Sequence, residues 1–153
     1  MNIIEKFYTA FRQKDFGTMQ SCYHPEAIFT DEVFVNLNAA QVKAMWEMLI
    51  KSAKDMELIF KNVQVNGNTA SANWIATYTF SLTGRKVIND IQASFELKDG
   101  LIYRHRDRFN FYTWAKMAFG SKGVLLGWLP FFRKKLQQVT REKLEGFMSK
   151  LKA

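Results

Sequence analysis

From Glu57 to Thr113 the chain alternates apolar and polar residues with little interruption except at glycine-bearing turns. The breaks are Asn66-Gly67-Asn68, Gly84-Arg85-Lys86 and Asp99-Gly100. Side chains on a strand point to opposite faces with a period of two. The stretch therefore predicts a meander of four long antiparallel strands, Glu57–Val65, Thr69–Thr83, Val87–Lys98 and Leu101–Thr113, joined by hairpins. In the second strand Trp74, Ala76, Tyr78 and Phe80 share one face, against Asn73, Thr77, Thr79 and Ser81. In the third, Val87, Ile91, Ala93, Phe95 and Leu97 oppose Asp90, Gln92, Ser94, Glu96 and Lys98.

The last strand carries the chemistry. In Leu101–Thr113 the alternation sets Tyr103, His105, Asp107, Phe109 and Phe111 on one face, and Ile102, Arg104, Arg106, Arg108 and Asn110 on the other. Three arginines line a core poorly, so their face meets water. His105 and Asp107 are then left on a sheltered aromatic face. Polar groups in such a place are unfavourable unless paired or used. The two lie about 7 Å apart along a strand, near enough to meet directly or through one water. A carboxylate beside an imidazole fixes its tautomer and tunes its basicity. The pair reads either as a general acid–base unit or as a buried fastening between the strand and a helix.

Ahead of the meander, Ile3, Ile4, Phe7, Tyr8 and Phe11 recur at helical spacing over residues 2–14. A short helix at Met19–Tyr23 ends at His24-Pro25, and Glu26–Asp31 reads as a short strand. Asn38 caps a helix over Ala39–Ala53 with Val42, Met45, Trp46, Leu49 and Ile50 on one stripe. Helices followed by a meander form an α+β layer pattern. Tyr8, Trp46, Trp74, Tyr78, Tyr103 and Phe109 are candidate walls of an apolar ligand site. The tyrosines among them could donate to a ligand oxygen.

Charge divides the chain at about the same point as the pattern does. The net charge is +8, yet residues 1–112 carry 13 Lys and Arg against 12 Asp and Glu, and residues 113–153 carry 9 against 2. We read residues 1–113 as the pocket domain and 114–153 as a basic amphipathic helical extension packed on it. The extension's stripe is Leu136, Val139, Leu144, Phe147, Met148 and Leu151. Nucleic acid is not the expected partner, because the charge belongs to the extension. Contact of the extension with a membrane surface is an open reading, with packing on the domain favoured. A single cysteine, Cys22, excludes an intrachain disulfide, and the N-terminus lacks a signal or spanning segment. The expected location is cytoplasmic. His24 and His105 lie in unrelated settings, no ligand-spaced cluster exists, and no glycine-rich phosphate loop follows a strand. Neither a metal nor another cofactor is expected.

The segments Phe7–Asp15 and Cys22–Asp31, the Trp46 helix and the closing His105-Arg106-Asp107 strand together resemble the nuclear transport factor 2-like superfamily. Within it they are most similar to the SnoaL-like, ketosteroid-isomerase-like branch, over about residues 1–113. The resemblance implies a cone: a curved antiparallel sheet wrapped around N-terminal helices, with a deep apolar pocket, commonly as a homodimer through the outer sheet face. It places Asp31 where ketosteroid isomerases keep their general base. Their oxyanion tyrosine falls at Phe7, beside Tyr8, and their protonated acid falls near Gln92 or Ala93, so the steroid-type oxyanion pair is missing. SnoaL-like cyclases instead place a catalytic aspartate on the last strands, where this chain has Asp107 beside His105. The resemblance thus implies a small, largely apolar, oxygen-bearing ligand, with isomerisation, cyclisation or hydration driven by Asp31, His105 and Asp107. The competing expectation is a non-catalytic binding or protein-interaction module of the same fold.

Overall fold

Two capped helices open the chain. Asn2 accepts from the Ile4 and Glu5 amides while Glu5 accepts from the Asn2 amide, a capping box that starts α1 (Ile3–Arg12). The computed structural model describes all 153 residues. Asp15 caps the short α2 (Phe16–Ser21). The chain is already extended from Tyr23, earlier than the sequence reading placed it. The residue before a proline is driven out of helical geometry, and His24-Pro25 falls inside β1 (Tyr23–Thr30) rather than ahead of it. A two-residue strand, β2 (Leu37–Asn38), leads into α3 (Ala39–Ser52), where Asn38 and Gln41 form a second capping box.

The meander follows as β3 (Glu57–Asn66), β4 (Thr69–Phe80), β5 (Arg85–Lys98) and β6 (Leu101–Arg108). Asp99 and Gly100 turn β5 into β6 with φ of 53° and 73°, the left-handed pair that matches the twist of a tight hairpin. The six strands form one curved, unclosed sheet in the order β2-β1-β6-β5-β4-β3. Its pairs are antiparallel except β1 with β6, which run parallel. The fold is α+β, a curved sheet with helices against its inner face. α1 packs on β3 and α3 on β1.

β6 departs from simple alternation at one place. Leu97 pairs with Ile102, but Glu96 pairs with Arg104, so Tyr103 is an inserted residue opposite no partner. Such a bulge shifts the strand's faces by one residue. Ile102 and His105 both point into the core as a result, and Tyr103 is turned outward. The strand also ends at Arg108 rather than Thr113. Asn110 accepts from the Thr113 amide and starts α4 (Phe111–Phe119), so Phe111 belongs to a helix and not to the strand face.

Two further helices complete the chain, α5 (Ser121–Leu126) and α6 (Pro130–Leu151). Leu136 and Leu144 of α6 are buried, and the helix crosses α3. Arg133 of α6 pairs with Glu32, and Arg141 donates to the Val35 carbonyl. These contacts hold α6 beside the β1–β2 loop. Val139 and Leu151 of the expected stripe remain exposed. No helix is long and apolar enough to cross a membrane.

Candidate active site

Pairing in the sheet puts His105 opposite Phe95 and beside Phe29, and Asp107 opposite Ala93. The small Ala93 leaves room for the carboxylate. Both His105 and Asp107 are buried. His105 Nε2 is 2.9 Å from Asp107 Oδ1, and His105 Nδ1 is 2.8 Å from the Tyr23 hydroxyl. The Tyr23 oxygen also accepts from the Trp46 indole N–H at 2.9 Å. One order of protons satisfies the whole row. Trp46 donates to Tyr23, Tyr23 donates to Nδ1, and Nε2–H donates to Asp107. The imidazole is thereby fixed as the Nε2–H tautomer. Trp74 makes a long contact of 3.5 Å to the same oxygen, while Asp107 Oδ2 is buried without a partner.

That carboxylate borders a cavity of about 240 Å³ between the sheet, α3 and α6. Trp46, Trp74, Tyr78 and Phe109 line it, and so does Asp31. The sequence thus points to six residues that the fold brings to one space, counting Asp107 but not His105. His105 stands one residue behind the wall and reaches the cavity only through Asp107. The cavity's remaining walls are mostly apolar, the usual make-up of a small-molecule site.

Asp31 follows β1 and turns the chain. Its Oδ1 accepts from the Val33 and Phe34 amides at 2.7 and 2.6 Å. Burial pushes its carboxyl up from 3.8 to about 7; the two amides work against this, and the charges of Asp107 and Glu32 add to it. The Tyr78 hydroxyl is held by the Trp114 indole N–H at 2.9 Å, which leaves its own proton available. Burial raises its pKa above the ordinary value, and Asp31 raises it further, so it remains a donor.

Two candidates lie elsewhere. Tyr103, turned out by the bulge, packs against Arg104, whose guanidinium carbon is 3.9 Å from the ring centre, and against His24. Tyr8 lies within the core between Phe60 and Phe95, because its neighbour one turn on, Phe11, takes the place facing the cavity. The Tyr8 hydroxyl is buried without a partner, and burial raises its pKa. Sequence reasoning missed Asn89, a buried residue that borders the cavity. Its signal is positional, since Asn89 occupies the inward place between Val87 and Ile91. It also missed Tyr23, for which no local signal exists, because its partner lies 82 residues away. No group of three His, Cys, Asp or Glu side chains is arranged to hold a metal ion.

A curved open sheet over helices, with a mostly apolar cavity holding two carboxyl groups, defines an NTF2-like pocket protein. A family model for the SnoaL-like domain matches residues 4–105, and the chain belongs to that family. Among solved structures the fold is similar to TerC co-crystallized with polyporic acid, with TM-score 0.64, 19% identity, and 76% of this chain and 95% of that one covered. It is similar to IdmH of Streptomyces antibioticus, provisionally assigned as a polyketide cyclase (0.62, 18% identity, 73% and 92%). It is also similar to an LEH-like epoxide hydrolase of M. tuberculosis (0.62, 17% identity, 80% and 90%). No curated protein matches the sequence.

Proposed function

We propose that this chain binds a small, largely apolar, oxygen-bearing molecule in the cavity and acts on it by acid–base catalysis, as an isomerase, cyclase or hydratase. One observation carries the reading: a carboxyl group raised to about 7, Asp31, faces the same apolar cavity as Asp107 and the hydroxyl of Tyr78. A group poised near neutral pH takes and returns protons with the least mismatch. Asp31 is the proton acceptor, abstracting from carbon next to a carbonyl or from a water. Tyr78 donates to the ligand oxygen on which negative charge grows. Asp107 is the second carboxyl group, held in one orientation by His105 and through it by Tyr23 and Trp46. His105 is a positioning residue here. The neighbours crystallised with an organic acid or assigned as a cyclase or an epoxide hydrolase agree with such a ligand.

Residues 1–113 supply the pocket and 114–153 close part of it, since Leu136, Val139, Thr140 and Lys143 of α6 border the cavity. Homodimerisation through the outer face of the sheet and a cytoplasmic location complete the proposal.

The test has two stages. Native mass spectrometry of protein purified from its own host identifies a retained small molecule. Turnover of that molecule is then measured for Asp31→Asn and Asp107→Asn. Each is expected to fall by about a hundredfold or more with the fold intact. Undiminished turnover in both variants removes the catalytic reading, and an empty cavity in the host-purified protein removes the ligand.

A further inference from the structure

The segment between α4 and α6 is organised opposite to a helix that simply faces water. Its smallest residues point inward. A Cβ on Gly123 would lie 2.0 Å from the Ala115 carbonyl oxygen, and one on Gly127 would lie 2.9 Å from the Ala115 Cβ. The two glycines, one turn apart, let α5 lie hard against α4. Large apolar residues of this segment and of the first turn of α6 point outward: Leu125, Trp128 and Phe131 are 69%, 67% and 78% exposed. The knuckle is therefore a fixed shape that displays bulky apolar groups.

Its polar groups need little from water. The Trp128 indole N–H donates to the Leu125 carbonyl at 3.0 Å, and the Tyr112 hydroxyl donates to the Val124 carbonyl at 3.0 Å. Carbonyls at the end of a short helix are otherwise left open, and open groups resist transfer to a less polar layer. The charge carried by the chain on both sides of the knuckle has one sign. No Asp or Glu occurs between Asp107 and Glu142, while Lys122, Lys134 and Lys135 are exposed on either side of the knuckle. Arg133 is already paired with Glu32.

We propose that the knuckle Val124–Phe131 docks this protein on an anionic lipid surface. Leu125, Trp128 and Phe131 enter the boundary between headgroups and acyl chains, and Lys122, Lys134 and Lys135 meet the lipid charge. The apolar stripe of α6 is not the membrane face, because Leu136 and Leu144 are buried in the fold. A second copy of the chain suits the knuckle poorly, since the two facing lysine clusters would repel.

The experiment is co-sedimentation of the full chain with vesicles of phosphatidylcholine alone, or with about a third phosphatidylglycerol. Wild type is expected to pellet with the anionic vesicles, weakly with the neutral ones, and less as salt is raised. The triple variant Leu125→Ser, Trp128→Ser, Phe131→Ser is expected to bind at least about tenfold more weakly. The variant Lys122→Glu, Lys134→Glu, Lys135→Glu is expected to lose binding to a similar degree. All six positions are exposed, and melting curves confirm that both variants fold. Should one variant fail to fold, the other decides. Wild type remaining in the supernatant, or variants binding as wild type does, overturns the proposal. So does gel filtration in which wild type is a dimer and the serine variant a monomer, for the knuckle would then join two copies.

Discussion

His105 Nε2 donates to one oxygen of Asp107 at 2.9 Å, and the other oxygen of that carboxyl group is buried with no protein partner. The pair is thus ordered on one side and open on the other. The order comes from Tyr23 and Trp46, two residues whose hydrogen bonds do nothing else.

Tyr23→Phe tests that row. It leaves the Trp46 N–H and the His105 Nδ1 buried and unpaired, and each unsatisfied group costs about 1–3 kcal/mol. Urea denaturation is expected to show a loss in at least that range. No change would mean that the row does not hold the strand.

Asp31 makes a prediction with a definite sign. Its carboxyl stands at about 7 in the fold against an ordinary 3.8. Between those values the folded chain keeps a proton that the unfolded chain releases. Its contribution therefore favours folding at low pH, falls away as pH rises to about 7, and is level above. The full decline is about 4 kcal/mol at most. Asp31→Asn cannot titrate, so its stability relative to wild type should climb across this window and favour the variant at pH 8. Parallel stability–pH curves would reject the raised value.

Leu144 fixes α6 to the domain. Leu144→Ala is expected to cost about 2–5 kcal/mol, read from thermal or urea unfolding. A near-neutral result would show that α6 is not part of the cooperative unit.

The bulge yields a matched pair of tyrosine variants. Tyr78→Phe removes the donor at the cavity and is expected to lower turnover of the retained molecule about tenfold or more. Tyr103→Phe, altering a ring stacked on Arg104 outside the cavity, is expected to leave it unchanged. Equal losses in the two would contradict this placement.

Much of this was legible in the sequence because the meander states its own period. Trp74, Tyr78 and Asp107 were assigned their face from alternation alone, and the helices from their caps and stripes. What escaped was whatever depends on contact between distant segments. The Tyr23–His105 bond joins two ends of the chain, and β1 lies parallel to β6, a pairing no hairpin signal announces. Tyr103 was misplaced because a bulge has no composition of its own. Asn89 was passed over because a polar residue at an inward place reads as an interruption of the pattern rather than as a cavity group.

Tyr103 also carries a lesson for how such a centre can be gained or lost. One surplus residue in β6 sets the phase of everything downstream, so imidazole and carboxylate look inward while Arg104, Arg106 and Arg108 do not. Without Tyr103, Ile102 opposite Leu97 would lead straight to Arg104 opposite Glu96 and His105 opposite Phe95, and the faces would be kept. Flattening the bulge with Tyr103 in place is what would turn the three guanidinium groups inward and the pair out. The buried pair and the cationic exterior of this strand are therefore alternatives separated by a register slip of one residue.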